Sequence, residues 1–254
     1  ERLRLFLAAG QLPQALGMLS EGRQQDGAIS ADLDYAWLET FLEAWRVTDK
    51  AKDRQAAEKW RGQAMEMMRL IERTHGPYWA RRAEMLLAGR VEAAADGGDL
   101  AMQIHAAESA YRSGRADDAL AAYDRAMALA QAQGNGDRAF ELGFVAAAIE
   151  HRRNRHEQSL TRYRQLALAY PQHAKAAEAH RLAVYHAGQL ARQQAAGAVE
   201  QYESLLDEHA QHWPEAASAN DVRWRLGQIR RQRGDWQGAV AAYQAITADD
   251  PQFL

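Results

Sequence analysis

The chain of 254 residues contains no cysteine. It therefore has no disulfide framework, no thiolate metal ligand and no cysteine nucleophile, and cysteine usage does not indicate a compartment. No run of 18 or more apolar residues is present, so the sequence predicts no membrane span. A hydrophobic fraction of 47% against 26% charged residues nevertheless supplies enough apolar surface for a folded core.

Strand-forming residues are also scarce. Val, Ile and Thr together number 18, whereas Ala alone occurs 54 times. Because β-branched residues favour strands and alanine is the strongest helix former, this composition predicts an all-α protein. The five prolines fall between helical segments or in a first helical turn, where the missing N–H costs little.

Net charge is small, because 31 Lys and Arg oppose 34 Asp and Glu to give −3. This balance gives no reason to expect nucleic acid or an anionic membrane as a partner. Of the basic residues, however, 27 are Arg and only 4 are Lys. Many of the arginines follow helix ends, where the helix dipole stabilises a cation. Aligned by a repeat, they would instead form a basic edge suited to an acidic partner or nucleic acid. They are Arg112, Arg115, Arg152, Arg153, Arg155, Arg192, Arg230, Arg231 and Arg233.

A small residue followed four positions later by tyrosine recurs in the second half of the chain. The copies are Ala119…Tyr123, Ser159…Tyr163, Ala198…Tyr202 and Ala239…Tyr243, with tyrosines 40, 39 and 41 residues apart. Gly114, Asn154, Gln193 and Gly234 lie five residues before the small residues, and Gly and Asn suit a left-handed helix end. This pattern predicts repeated hairpins of two helices that bury apolar faces against their neighbours. We expect the small residues, the tyrosines and Trp236 to pack in the core.

The last copy of this pattern resembles the tetratricopeptide repeat. Leu226-Gly227, Gly234-Asp235-Trp236, Ala239, Tyr243 and Pro251 stand at the offsets of the family signature. The resemblance implies a right-handed solenoid of helical hairpins with a concave groove lined by the first helix of each hairpin. The spacing near 40 departs from the family period of 34, which predicts longer helices or longer loops.

The first hundred residues are less regular. Gly10, Ala15 and Leu19 suggest the turn and second helix of one repeat, and Ala56 with Trp60 suggests another. Asp96-Gly97-Gly98-Asp99 is a break, and we place a soft boundary there. We therefore expect irregular helical repeats over residues 1–98 and four tetratricopeptide-like repeats over 99–254.

No catalytic, metal or cofactor site is evident. The histidines lack the His-Glu-x-x-His spacing of a zinc site, and we expect them on helix surfaces. They include His151, His156, His173, His180, His186, His209 and His212. Gly134-Asn135-Gly136-Asp137 is not followed by Lys-Ser/Thr, so it predicts a loop between repeats rather than a phosphate cradle. We accordingly predict no catalytic residue, no metal and no cofactor.

The resemblance implies a protein-binding groove on the first helices. Carried over to this chain, the groove positions are Ile104, Glu108, Tyr111, Arg112, Phe144, His151, Arg152, Trp224, Gln228 and Arg231. Apolar residues with arginines beside them suit a peptide bearing an acidic group. The paired Lys and Asn of the family's carboxylate clamp are absent from these positions.

Two functions of different classes fit these features. The first is a non-enzymatic scaffold that binds another protein; residues 140–253 also resemble bacterial envelope repeat proteins, which assist outer-membrane or cell-wall assembly. The second is the helical arm of a larger enzyme, such as a lytic transglycosylase or a repeat-fused kinase, with its catalytic domain outside this chain. Cytoplasm and periplasm both fit the sequence.

The two ends predict that the chain is an excerpt of a longer array. Residues 1–9 begin already in helical register, and Pro251 closes a repeat where a next helix would start. The last helix, with Val240, Tyr243 and Ile246, has no capping element after it, whereas solenoids normally end in one. We therefore expect self-association through this terminal repeat.

Overall fold

The computed structural model describes residues 2–26, 30–92 and 100–247, which form α-helices and turns with no β-strand. These helices fall into two compact units, unit 1 over residues 1–115 and unit 2 over residues 116–254. The boundary predicted at Gly97-Gly98 lies outside the described residues. Within the described part of the chain no helix is both long enough and apolar enough to cross a membrane.

In unit 1, each described helix packs on the next along the chain. The helices are α1 (Arg2–Ala8), α2 (Leu12–Asp26), α3 (Ala31–Lys50), α4 (Arg54–Thr74), α5 (Gly76–Glu92) and α6 (Leu100–Arg112). Helices α3 and α4 form the main pair, and α5 packs on both of them. Leu42, Met68 and Ile71 are fully buried in the core of this unit. The apolar side chains therefore lie where helices meet.

Unit 2 continues the pattern with a more regular series of helices. They are α7 (Ala116–Ala132), α8 (Gly136–Arg152), α9 (His156–Ala169), α10 (Ala176–Arg192), α11 (Ala198–His212), α12 (Ala219–Gln232) and α13 (Trp236–Gln244). Each packs on its successor, and α8–α9, α10–α11 and α12–α13 form three hairpins. The predicted all-α fold built from helical hairpins is confirmed for the described residues.

The turns of these hairpins contain a residue in the left-handed conformation. Asn154, Gln194 and Gly234 have φ of 54°, 57° and 79°, and Gly114 after α6 has 75°. Each of these four residues follows the previous one by 40 positions. Gln193, which stands five residues before Ala198, is the C-cap of α10 with φ −77°, so the left-handed residue of this turn lies one position later. This turn also contains a second left-handed residue, Gly197, directly before α11.

The small residues of the repeat pattern allow the two helices of a hairpin to approach closely. Ala119, Ser159, Ala198 and Ala239 are all buried, and Tyr163 is only 2% exposed. In the last hairpin, a Cβ added at Gly227 would lie 2.7 Å from Cδ1 of Tyr243. Glycine is therefore required there because the tyrosine ring occupies the space of a side chain.

Trp236 does not join this core. Its side chain is 66% exposed, which corrects the expectation that it packs between helices. The residue opens α13, and no later helix of the described chain lies beyond that first turn to cover it. His156, which opens α9, is half-buried because α10 follows and brings His186 against it.

The close approach in the last hairpin generates a test with two glycine substitutions. Gly227→Ala should lower the free energy of unfolding by about 1–3 kcal/mol, because the methyl group must displace the Tyr243 ring. Gly62→Ala, in the exposed interior of α4 with open space around it, should raise stability by up to about 1 kcal/mol through helix propensity alone. Urea unfolding followed by circular dichroism measures both, and equal effects of the two changes would contradict the packing described.

We predict that the self-association expected from the sequence uses the outer surface of α13. Trp236 and Val240, one helical turn apart, are 66% and 53% exposed. We expect the double variant Trp236→Gln/Val240→Gln to weaken concentration-dependent association in sedimentation velocity, because it removes apolar area from this surface. A wild-type chain that stays monomeric at every concentration would contradict the prediction.

Candidate functional site

The residues predicted for the groove from α6 all lie in unit 1. Ile104 and Tyr111 are half-buried, and Glu108 and Arg112 are exposed. Glu108 and Arg112 line an open cleft of about 840 Å³. Arg112 also contacts Glu72 at 3.4 Å. The walls of this cleft carry the arginines Arg23, Arg69, Arg73 and Arg112 and the glutamates Glu66, Glu72 and Glu108, so its charge does not favour a ligand of one sign.

The predicted groove residues of α8 are partly engaged in packing. The ring of Phe144 lies 5.3 Å from that of Tyr163 and 6.0 Å from that of Phe140, which leaves it half-buried. Nδ1 of His151 lies 2.9 Å from Nε2 of His186. Arg152 is exposed at the end of the helix. Helix α8 therefore offers a partner the exposed Arg152 and the half-buried side chains of Phe144 and His151.

Helix α12 presents its predicted residues to solvent. Trp224 is 41% exposed although its ring lies 5.1 Å from that of Tyr243. Gln228 is half-buried and Arg231 is exposed. Trp224, Gln228 and Arg231 follow the i, i+4, i+7 spacing that places residues on one side of a helix.

A second cleft, of about 290 Å³, opens between α10, α11 and α12, and we call it the α10–α12 cleft. Its walls hold three arginines, two tyrosines and two glutamines around a small apolar floor, and they hold no carboxylate. The lining residues are Tyr185, Gly188, Gln189, Ala191, Arg192, Val199, Tyr202, Arg225, Ile229, Gln232 and Arg233. The predicted residues of α12 lie beside this cleft, since their neighbours Arg225, Ile229 and Gln232 line it instead.

None of the groove positions carried over from the family lies on α10, and only Arg192 of this helix was placed on the predicted basic edge. The repeat that contains α10 is the least regular copy, because its turn has no glycine at the left-handed position. The spacing of the left-handed residues could have identified this helix. Arg192 stands two residues before Gln194, just as Arg112 and Arg152 stand two residues before Gly114 and Asn154. The rings of His151 and Tyr185, 6.0 Å apart, connect α8 to this part of unit 2. We use the term first-helix face for the surface that α8, α10 and α12 present here.

Glycine shapes the floor of the α10–α12 cleft. A Cβ on Gly188 would lie 3.3 Å from Cε2 of Tyr202, so the absent side chain lets the tyrosine ring lie against α10. The Arg225 side chain donates from Nε to Asp221 at 2.9 Å. This hydrogen bond raises the pKa of Arg225, with Tyr202 adding a smaller contribution in the same direction. The ion pair with Asp221 therefore keeps the Arg225 side chain charged and in place at the wall of the cleft.

Most of the arginines near helix ends contact carboxylates, which corrects the expectation of a continuous basic edge. In unit 2, Arg153 and Arg155 both contact Asp117, at 2.7 and 3.2 Å. Arg233 contacts Glu203 at 2.7 Å, and Arg230 contacts Glu203 and Asp207. Arg192 and Arg231 have no ion-pair partner among the described residues. The basic surface of unit 2 is thus concentrated at a few positions of α10 and α12.

Three histidines of unit 2 are fully buried, which corrects the expectation of surface histidines. His186 of α10 lies between His151 and His156, with N···N distances of 2.9 Å to each. His209 lies 3.2 Å from His180 and 2.8 Å from Oγ of Ser218. Each ring is accommodated because a neighbouring side chain supplies a hydrogen-bond partner.

Burial sets the charge of these rings. It lowers the pKa of His186 to about 4, and the neighbouring His151 and His156 contribute in the same direction. Burial likewise lowers the pKa of His209 to about 4, with His180 as the next cause. The Arg164 guanidinium, followed by His180, lowers the pKa of Glu208 to about 2. At neutral pH, unit 2 therefore contains neutral rings and an ionised carboxylate.

Unit 1 contains a polar cluster of His105, Ser109, Glu72 and Glu84. These are the residue types of a catalytic triad, but the serine–histidine hydrogen bond of a triad is not among their contacts. Nε2 of His105 lies 3.1 Å from Glu72, whose pKa this contact lowers. The Ser109 hydroxyl donates to Glu72 and Glu84 rather than to His105. A serine nucleophile needs the histidine as its base, so this arrangement favours a structural role. Among the described residues, no group of three His, Asp or Glu side chains is arranged to hold a metal ion.

Comparison with protein-family models identifies a tetratricopeptide repeat at residues 221–252. A comparison with curated protein sequences gave no match. Similar solved structures include the apo form of RapI, at 9% identity and TM-score 0.42, covering 99% of this chain and 77% of that one. A signal-transduction ATPase with a tetratricopeptide repeat sensor from Pyrococcus horikoshii has 15% identity and TM-score 0.40, with coverages of 96% and 40%. A Rap protein complexed with competence and sporulation factor has 17% identity and TM-score 0.31, with coverages of 96% and 72%.

The family match falls on α12 and α13, the hairpin whose residues resembled the repeat most. The sequence resemblance is therefore confirmed at this hairpin, and the consecutive helical hairpins make the chain a helical-repeat protein. Repeats of this kind are typical of protein-interaction scaffolds.

The buried histidines predict acid sensitivity in unit 2. Their pKa values are lower in the folded state than the ordinary 6.5, so the unfolded chain binds more protons as the pH falls. The free energy of unfolding should therefore decrease from about pH 6.5 to about pH 4, by on the order of 1–3 kcal/mol for each ring. Urea unfolding at a series of pH values measures this dependence.

The variant His186→Gln should flatten the pH dependence of stability, because it removes one of the titrating rings. His212→Gln, at an exposed position of α11, is the comparison variant and should change the dependence less, because His212 is only the last of the causes that lower the pKa of His209. A His186→Gln profile identical to wild type would contradict the assignment.

Proposed function

We propose that this helical-repeat protein is a non-enzymatic scaffold that binds a segment of another protein along the first-helix face of unit 2. The observation that carries the proposal is the α10–α12 cleft beside exposed aromatic side chains. Tyr185 is 46% exposed at the cleft and Trp224 is 41% exposed next to it. Large exposed aromatics are costly to leave in water and are enriched in the energetically dominant positions of interfaces.

The charge of the face supports binding of a polar segment rather than a membrane or a small apolar ligand. Arg192 and Arg231 lie on it without a carboxylate partner in the described chain, and an unpaired guanidinium retains its five donors for a ligand. The amides of Gln189 and Gln232 at the cleft can hydrogen-bond the backbone of an extended peptide. A partner segment would thus contact aromatic rings, arginines and amides together.

The proposed groove extends over the predicted residues of α8 and α12 in unit 2. On α8, Arg152 is the exposed cation, and the half-buried Phe144 adds apolar surface beside the half-buried His151. On α12, Trp224 and Arg231 are seven residues apart and lie on one side of the helix. The α6 residues Ile104, Glu108, Tyr111 and Arg112 are proposed as contacts of the same class within unit 1.

A selection from a displayed library of random peptides provides ligands for the test. Peptides enriched on the wild-type chain should lose most of their binding to Trp224→Ala/Arg231→Ala, because the variant removes the exposed ring and one unpaired cation of α12. The measurement is the dissociation constant of each enriched peptide by fluorescence anisotropy.

The control is Trp236→Ala, which removes a more exposed tryptophan from α13 outside the first-helix face. Circular dichroism checks that both variants keep their helix content. Equal affinity of wild type and Trp224→Ala/Arg231→Ala would move the site away from α12, and equal losses in both tryptophan variants would show that the binding is unspecific.

A further inference from the structure

We propose that the α10–α12 cleft recognises the carboxylate of an aspartate or glutamate that stands next to an apolar residue in an extended segment of the partner protein. This inference rests on the proposed function, because it names the partner chemistry of the first-helix face. The cleft volume of about 290 Å³ is at the low end of ligand pockets and suits one or two side chains rather than a large cofactor.

The sign of the ligand follows from the charges of the lining. Arg192, Arg225 and Arg233 line the cleft, and no lining residue carries a negative charge. An anion entering the cleft therefore meets no carboxylate among its lining residues, and the nearby Asp221, Glu200 and Glu203 are held in ion pairs with Arg225 and Arg233. The cleft of unit 1 differs, because glutamates are themselves lining residues there.

The magnitude of the ligand charge follows from the ion pairs of the three arginines. Arg225 is paired with Asp221 at 2.9 Å. Arg233 is paired with Glu203 at 2.7 Å and Glu200 at 3.4 Å. Arg192 has no such partner in the described chain. Arg192 is thus the one arginine of the cleft lining without an ion pair in the described chain, and a single guanidinium can hold one carboxylate by a two-point contact.

Arg192 is also the arginine with the geometry to hold a carboxylate directly. It is exposed near the C-terminal end of α10, and all its guanidinium donors are available for a two-point contact. The donors of Arg225 and Arg233 are partly used by their own carboxylates, so these residues offer fewer donors to a ligand. Arg192 therefore provides the specific contact.

The apolar neighbour of the acidic residue follows from the remaining walls. Val199 is 40% exposed, and Ile229 and the ring of Tyr202 lie around the same cleft. These side chains form an apolar surface beside the guanidinium groups, and burying an aromatic or aliphatic side chain of the partner against them is favourable. An acidic residue without such a neighbour would use only half of the cleft.

The test uses short blocked peptides as probes, so that no terminal charge interferes. The probes are N-acetyl-Phe-Glu-amide, its neutral counterpart N-acetyl-Phe-Gln-amide, N-acetyl-Phe-Lys-amide and N-acetyl-Phe-phosphoserine-amide. Binding to the full chain is followed by NMR titration of the Gly188 and Gln189 amide signals. We expect the Glu probe to bind at least about tenfold more tightly than the Gln probe and at least as tightly as the phosphoserine probe, and its affinity to fall with added salt.

Charge reversal identifies the residue. Arg192→Glu should weaken the affinity for the Glu probe by at least about tenfold and should strengthen the affinity for the Lys probe. Arg181→Glu is the matched control, because it makes the same charge change at an exposed position of the same helix outside the cleft. It should leave both affinities within about twofold of wild type.

Several results would overturn the inference: equal binding of the Glu and Gln probes, tighter binding of the phosphoserine probe, or equal losses in Arg192→Glu and Arg181→Glu. The outcome is distinguishable from failure of the proposed function. Binding of the Glu probe at Arg192, together with displayed peptides that ignore Trp224→Ala/Arg231→Ala, would reject the groove over α12 and retain the cleft. If the displayed peptides lose binding to Trp224→Ala/Arg231→Ala and the Glu probe does not bind at all, the groove over α12 is retained and the role of the cleft is rejected.

Discussion

The close contact between the two helices of each hairpin is the constraint on which unit 2 depends. Gly143, Gly188 and Gly227 on the first helices face Leu166, Tyr202 and Tyr243 on the second, at distances that leave little or no room for another side chain. Because large residues of one helix fill the space left by small residues of the other, the hairpin has one preferred register. The position of every exposed side chain on α8, α10 and α12 follows from that register, including those that form the cleft.

Ion pairs supplement this packing along the surface. Arg153 and Arg155 contact an aspartate that opens α7, and Arg162 contacts Asp124 of the same helix. Exposed pairs of this kind contribute little free energy each, so the arginine-rich composition does not explain the stability of the fold. It does explain why few arginines remain for a ligand. The arginines that lack a carboxylate are therefore more informative about function than the total number of arginines.

The sequence predicted the fold well because its signals are local. Scarcity of β-branched residues, abundance of alanine and the spacing of small residues and tyrosines all act within one hairpin, so hairpins could be recognised without knowing how they stack. The burial of His180, His186 and His209 could not be predicted, because it depends on side chains 28 to 35 residues away. The α10–α12 cleft escaped prediction for a related reason: its walls come from three helices, and α10 belongs to the copy whose turn lacks glycine.

The contact of His186 with two other histidines has a consequence for hydrogen-bond direction. A neutral imidazole donates through one nitrogen and accepts through the other, so His186 donates to one neighbour and accepts from the other. The three rings therefore form a directed chain from α8 through α10 to α9, or the same chain in the opposite direction. Reversing it requires a change of tautomer at all three rings together. The position of a single proton on His151 is in this way coupled to the tautomer of His156 on a different helix.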